Sequence, residues 1–194
     1  MKKLEVSPRI ITVGDSGVGK TSLIYRIKNG SFLEHTCSTI GAGVTPIDVS
    51  FRDKVLSFQL WDTAGQEMYR NIIPIYFKGA FFAILVFSMS DSKSFQSLEN
   101  WMSQIYEHAD QTISIVIVGN KCDMQNPQVS EEEAKRWARQ KQIEVFFVSA
   151  KSGINIRLIM EHVAEVFLSK QEDVIPTSKS VDPTFPDHPN RNCC

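Results

Sequence analysis

Gly14-Asp15-Ser16-Gly17-Val18-Gly19-Lys20-Thr21 reads G-x-x-x-x-G-K-[ST], and this stretch decides how the rest of the chain is read. The short apolar run Arg9–Val13 leads into it. After it, Lys20–Lys28 carries Leu23, Ile24 and Ile27 at helical spacing. A strand, a glycine-rich turn and a helix in that order make an anion cradle. Glycines let backbone N–H groups curl toward one point, and the helix N-terminus adds positive potential there. In such a cradle Lys20 reaches terminal phosphates and the Thr21 hydroxyl is a ligand for Mg²⁺. Asp15, Ser16, Gly17, Val18, Gly19, Lys20, Thr21 and Ser22 are the expected phosphate-binding segment.

Outward from this stretch the chain alternates strand-like and helix-like segments. Val44–Phe51 and Val55–Trp61 flank a polar turn at Arg52–Lys54 and show period-two apolar positions, the pattern of a hairpin. Ala80–Phe87 and Ile113–Val118 are continuous apolar runs, which fit strands covered on both faces. Phe95, Leu98, Met102 and Ile105 mark one amphipathic helix. Ser130 with Glu133 forms a capping box before another, near Ala134–Gln140. Ile143–Val148 is a sixth strand, and Ile156, Ile159, Val163 and Phe167 line the face of a final helix. Strands alternating with helices predict an α/β protein: a P-loop NTPase three-layer fold. Its six-stranded sheet is mostly parallel, with one antiparallel strand from the hairpin and helices on both faces. Residues 1–170 are the expected nucleotide-binding domain. Residues 171–194 hold four of the eight prolines and no helical period, and read as a flexible tail.

Two further segments lie where open parallel sheets bind ligands, beyond the carboxyl ends of strands. Trp61-Asp62-Thr63-Ala64-Gly65-Gln66-Glu67 leaves one strand. There Asp62 is placed to hold Mg²⁺ through water, Gly65 to bring an N–H to a γ-phosphate, and Gln66 to orient an attacking water. Asn120-Lys121-Cys122-Asp123 leaves another strand. The Asp123 carboxylate accepts two hydrogen bonds from guanine, at N1–H and the 2-amino group. Adenine offers neither, and selection of that kind reaches ~10⁴-fold or more. Ser149-Ala150-Lys151, after the sixth strand, is placed to close over the base with a backbone N–H.

Composition narrows the class. Of 194 residues, 21 are Lys or Arg and 22 Asp or Glu, so the net charge of -1 lacks the excess that holds nucleic acid. The four cysteines, Cys37, Cys122, Cys193 and Cys194, are too few and too scattered for a disulfide scaffold. No apolar run approaches the 18 or more residues of a spanning helix, and MKKLEVSPRI has no apolar region of the secretory kind. The four histidines have no metal-ligand spacing and read as surface or packing residues.

Taken together, GDSGVGKT, DTAGQE, NKCD and SAK, in this order, resemble the Ras superfamily of small GTPases over about residues 7–168. The closest branch is Rab, through LSFQLWDTAGQEMYR, Tyr76-Phe77-Lys78-Gly79-Ala80, Trp101 and the terminal Cys-Cys. The resemblance implies a slow, Mg²⁺-dependent hydrolysis of GTP to GDP that switches a regulator of vesicle traffic. By position it implies Thr39 as the switch threonine on Mg²⁺ and γ-phosphate, and Phe32 edge-on to the base. Asn120 and Lys121 brace the phosphate loop and lie along the base, and Gln66, Lys20 and Thr39 form the catalytic set. It also implies two geranylgeranyl groups, on Cys193 and Cys194. Implied partners are effectors, an exchange factor, a GTPase-activating protein and a GDI-type chaperone. The implied state is a monomer on the cytoplasmic face of an intracellular membrane, cycling with cytosol. Other readings are a GTP-binding adaptor with negligible hydrolysis, another branch of the superfamily, or a P-loop kinase or ATPase, against which Asn120–Asp123 argues. The chain departs from common Rab patterns at Ala42-Gly43-Val44, Met68 and Ser88-Met89, which lie at surface and switch positions.

Overall fold

The computed structural model describes residues 7–34, 39, 41–64 and 74–174. The strands are β1 (Arg9–Val13), β2 (Ala42–Phe51), β3 (Lys54–Thr63), β4 (Ala80–Ser88), β5 (Ser114–Asn120) and β6 (Val145–Phe147). The helices are α1 (Lys20–Asn29), α2 (Pro74–Phe77), α3 (Ser92–Gln96), α4 (Leu98–His108), α5 (Glu131–Lys141) and α6 (Ile156–Val174). The six strands pair in the order β2-β3-β1-β4-β5-β6. Only β2 with β3 is antiparallel, with Phe51 opposite Lys54 across a tight turn at Arg52 and Asp53. The expected three-layer sheet is present.

The central strands read as unbroken apolar runs because both faces are covered. Along β4, Phe82, Ile84 and Val86 join Leu23 and Ile24 of α1 and Ile159, Val163 and Phe167 of α6 in one layer. Ala83, Leu85 and Phe87 point the other way, onto Leu98, Trp101, Met102 and Ile105 of α4 and Ala134 and Ala138 of α5. Strand β2 is an edge with one buried side chain, Ile47, and it tolerates Pro46 because an edge can spare a ladder donor.

Element ends shift by one or two residues from the reading of the sequence at β2, β3, β4, β5 and α1, and three further differences have a visible cause. The single helix expected from Phe95 to Ile105 is two helices that meet at Ser97, whose N–H bonds Lys93 O and Phe95 O in a tightened turn. The sixth strand is shorter than Ile143–Val148: the Ile143 N–H is spent on Ala138 O at the end of α5. The last helix runs past residue 170 to Val174. Near its end the Lys170 ammonium lies over the Phe81 ring and donates to Thr112 O. The N-cap half of the expected capping box is present: Ser130 Oγ accepts from Glu133 N at 3.2 Å.

Candidate functional site

The parallel strands β1, β3, β4, β5 and β6 present their carboxyl ends along one rim, and the loops that leave them carry the motifs. The loop from Gly14 to Gly19 turns on glycines at positive φ. At Gly14 (φ 144°) a Cβ would lie 2.1 Å from Val86 O, so the loop can cross β4 only without a side chain. At Gly19 (φ 98°) a Cβ would lie 2.4 Å from Asn120 Nδ2.

Lys20 is 6 % exposed, and its ammonium donates to Gly14 O and Asp15 O, both at 2.8 Å. Burial pulls it down to about 8, against the nearby charges of Asp62 and Asp15, which favour the ammonium. Two carbonyls aim this charge without neutralising it. An anionic phosphate at the loop would restore the cation's ordinary stability.

Asp62, 8 % exposed at the end of β3, accepts from Thr21 Oγ1 at 2.7 Å and from Thr39 Oγ1 at 3.3 Å, both through Oδ2. The two threonine hydroxyls are 2.9 Å apart. Asp62 Oδ1 is buried without a partner. Burial pushes the carboxyl up, while the Thr21 hydrogen bond and Lys20 pull it back. An orphaned carboxylate oxygen beside two hydroxyls is a hard, all-oxygen donor set. It suits Mg²⁺, which takes one or two carboxylates and fills its remaining positions with water and phosphate. Among the described residues no group of three His, Cys, Asp or Glu could hold a metal.

The second half of the site is a pocket of about 130 Å³ whose walls include Gly19, Ser22, Phe32, Lys121, Asp123, Ala150 and Lys151. Asn120 is 2 % exposed and ties its two sides together: Nδ2 donates to Val18 O at 2.8 Å and Oδ1 accepts from Ala150 N at 3.1 Å. Lys121 Nζ donates to Gly17 O at 2.8 Å. Ser149 is fully buried and does not line the pocket. Its hydroxyl accepts from Ser152 N at 2.9 Å and shapes the loop instead. Ser16 and Gly17 are exposed on the loop, whereas Val18 is buried, so its side chain belongs to the core. Gly65, Gln66, Cys193 and Cys194 lie outside the described residues.

A model of the Ras family matches residues 9–169. The chain belongs to the Ras family. Over 195 aligned residues, 98 % of each chain, this Ras-family protein is 33 % identical to Ras-related protein Rab-7b of Bos taurus. It is 40 % identical over 168 residues to Ras-related protein Rab-13 of Rattus norvegicus, covering 86 % of this chain and 79 % of that one. It is 35 % identical over 176 residues to Ras-related protein Rab-3 of Caenorhabditis elegans, covering 90 % and 80 %. It is a Rab-like small GTPase of membrane traffic, an enzyme that hydrolyses GTP to GDP and phosphate.

Two side chains of this Ras-family site escaped the motifs. Trp101 of α4, 1 % exposed, donates from Nε1 to Asp15 Oδ1 at 2.8 Å. The Asp15 carboxylate is therefore engaged away from the phosphate loop's centre, and what the residue offers a ligand is its backbone. A buried indole N–H needs a partner, and that requirement was the available signal. Arg26 of α1 donates from Nε to Ala150 O at 2.7 Å, from Nη1 to Gly30 O at 2.7 Å, and from Nη2 to Lys151 O. Nothing in the sequence marks it, because a basic residue in the last turn of a helix is ordinary.

Proposed function

We propose that the rim binds guanine nucleotide with Mg²⁺ and uses hydrolysis to release two loops from a membrane-anchored switch. The observation that carries this is the convergence of the Thr21 and Thr39 hydroxyls on the buried, partly orphaned carboxylate of Asp62. Thr21 and Thr39 would hold the ion directly and Asp62 through water. When bound, the ion supplies positive charge to the phosphate oxygens. Lys20 adds its ammonium to the same oxygens, within a cradle of backbone N–H groups from Asp15 to Ser22. Asp123 accepts from the guanine edge, Phe32 and Lys121 flank the ring, and the Ser149–Lys151 loop closes over the base with a backbone N–H, the one at Ala150 being held by Asn120 Oδ1.

Gln66 orients the attacking water, and Gly65 donates to the γ-phosphate. Loss of that phosphate releases Gly65 and Thr39 together. Swinging such a loop from about 1:99 to 99:1 takes ~5.5 kcal/mol of differential binding, the scale of one metal ligand plus one charged hydrogen bond. No arginine of the chain is assigned to the γ-phosphate, so turnover is slow until an activating protein supplies one. With Gln66→Leu, single-turnover hydrolysis of bound GTP is expected to fall ~10- to 100-fold, the penalty of a misplaced reactant. An unchanged rate would remove Gln66 from the mechanism.

Geranylgeranyl groups on Cys193 and Cys194 attach the protein to the cytoplasmic face of an intracellular membrane. A GDI-type chaperone returns it to cytosol, and it meets exchange factor, activating protein and effectors as a monomer. Among the described residues no helix is long and apolar enough to cross a membrane. A single lipid chain gives only reversible attachment, and stable anchoring takes a second signal. Residues 175–194 balance Lys179 and Arg191 against Asp182 and Asp187, so a second lipid, rather than a basic patch, supplies it. Replacing both cysteines with Ser should leave GTP binding intact and move the protein wholly to the soluble fraction. Persistent membrane association of that variant would refute the anchor.

A further inference from the structure

The fork of Arg26 crosses the molecule. It leaves the last turn of α1 and reaches carbonyls 124 and 125 residues away, at Ala150 and Lys151, while also holding Gly30 O at the end of its own helix. Arginine is suited to this because its donors sit in one rigid plane and one side chain can fix several acceptors at once. The acceptors are not incidental. Ala150 and Lys151 form one wall of the pocket that contains Asp123. Gly30 begins the segment that delivers Phe32 to the same pocket. Arg26 stands behind that wall and lines a separate groove of about 600 Å³ with residues of β2 and α6.

The Ala150 backbone is thus held from both sides, its N–H by Asn120 Oδ1 and its carbonyl by Arg26 Nε. Asn120 continues to Val18 O in the phosphate loop. From Val18 through Asn120, Ala150 and Arg26 to Gly30, hydrogen bonds tie the parts that must separate for a base to leave. Gly153, two residues beyond Lys151, is set by its positive φ of 85° and not by space: a Cβ there would make only ordinary contact with Arg26, at 3.8 Å.

We infer that Arg26 is a positioning residue that sets the rate of nucleotide release, by clamping the Ala150–Lys151 loop to the Gly30–Phe32 segment around the base. This rests on the reading of the pocket as the base site. Without the fork, the wall and the Phe32 segment move independently and the base escapes more often. The phosphate end, held by Lys20, Thr21 and Asp62, is not touched by Arg26.

The test uses the full-length protein loaded with a fluorescent GDP and chased with excess GDP in the presence of Mg²⁺. Arg26→Ala should speed release about tenfold or more, the equivalent of one charge-assisted hydrogen bond lost. Arg26→Lys should fall between wild type and Arg26→Ala, because it keeps the charge but loses the fork. Single-turnover hydrolysis of pre-bound GTP should change far less than release. Hydrogen exchange should rise in the Ser149–Gly153 loop and not in β1 or β4. Release at the wild-type rate in both variants would overturn the inference. So would parallel changes in release, hydrolysis and exchange throughout the sheet, which would mark general destabilisation. Asp123→Asn in the same assay separates the two claims. If it leaves GDP binding unchanged, the base-site reading fails and takes the inference with it. If it abolishes GDP binding while Arg26→Ala changes nothing, the clamp alone is refuted.

Discussion

Asp123→Asn should abolish the preference for guanine and create one for xanthine. In the proposed base site the carboxylate would accept from both N1–H and the 2-amino group of guanine; it lines the same pocket as Phe32, Ala150 and Lys151. An asparagine keeps one acceptor but presents an N–H₂ where the second stood, and that group opposes the 2-amino donors. Xanthine carries a carbonyl at that carbon, so the new N–H₂ finds an acceptor while the remaining oxygen still takes N1–H. GDP affinity should drop by roughly 10³- to 10⁴-fold, the scale on which an unpaired buried polar group rejects a ligand. Xanthosine diphosphate should gain what GDP loses, and ADP should gain nothing. Competition of the three nucleotides against fluorescent GDP measures all of this in one titration. A variant that still bound GDP within a few-fold of wild type would show that Asp123 does not read the base.

The parts of this site that the sequence displays are those where chemistry demands a residue type at a fixed spacing. Gly14 and Gly19 are legible because no side chain fits beside Val86 O or Asn120 Nδ2. Lys20 and Thr21 at the start of α1, and Asp62 and Asp123 at or just beyond the ends of β3 and β5, are legible because phosphate, metal and base would each need a particular group there. Hydrophobic period recovers the layers, since β4 must be apolar on both faces to lie between α1 and α4. Period alone shows neither that Ser97 divides a helical stripe nor that residues past 170 continue α6, because both depend on local hydrogen bonding. Arg26 and Trp101 were illegible as functional groups for a related reason. Their apolar or helical context is common, and their partners lie at Ala150, Lys151 and Asp15, far away in sequence. Asp15 was legible only as a member of the motif, and its carboxylate has a different use.

Asn120→Ala should damage both folding stability and nucleotide binding. The side chain has two partners, Val18 O and Ala150 N, and both are backbone groups in a buried setting. Truncation leaves an acceptor and a donor unpaired at about 1–3 kcal/mol each. The variant should therefore lose ~2–5 kcal/mol in urea unfolding of the GDP-loaded protein. GDP affinity should fall by roughly 10³-fold if most of that loss is felt only when both halves of the site are assembled. Gly19→Ala supplies the stricter test. In the wild-type background its Cβ would collide with Asn120 Nδ2 at 2.4 Å, on top of the strain of a positive φ of 98°. In the Asn120→Ala background the collision is gone and only the backbone strain remains, about 1–2 kcal/mol. The double variant should be more stable than the sum of the single losses predicts, with a coupling of ~1 kcal/mol or more, as expected for groups in direct contact. Simple additivity would mean that Asn120 and Gly19 do not meet in solution as they do here. The link from base pocket to phosphate loop would then have to run through Lys121 and Gly17 O instead.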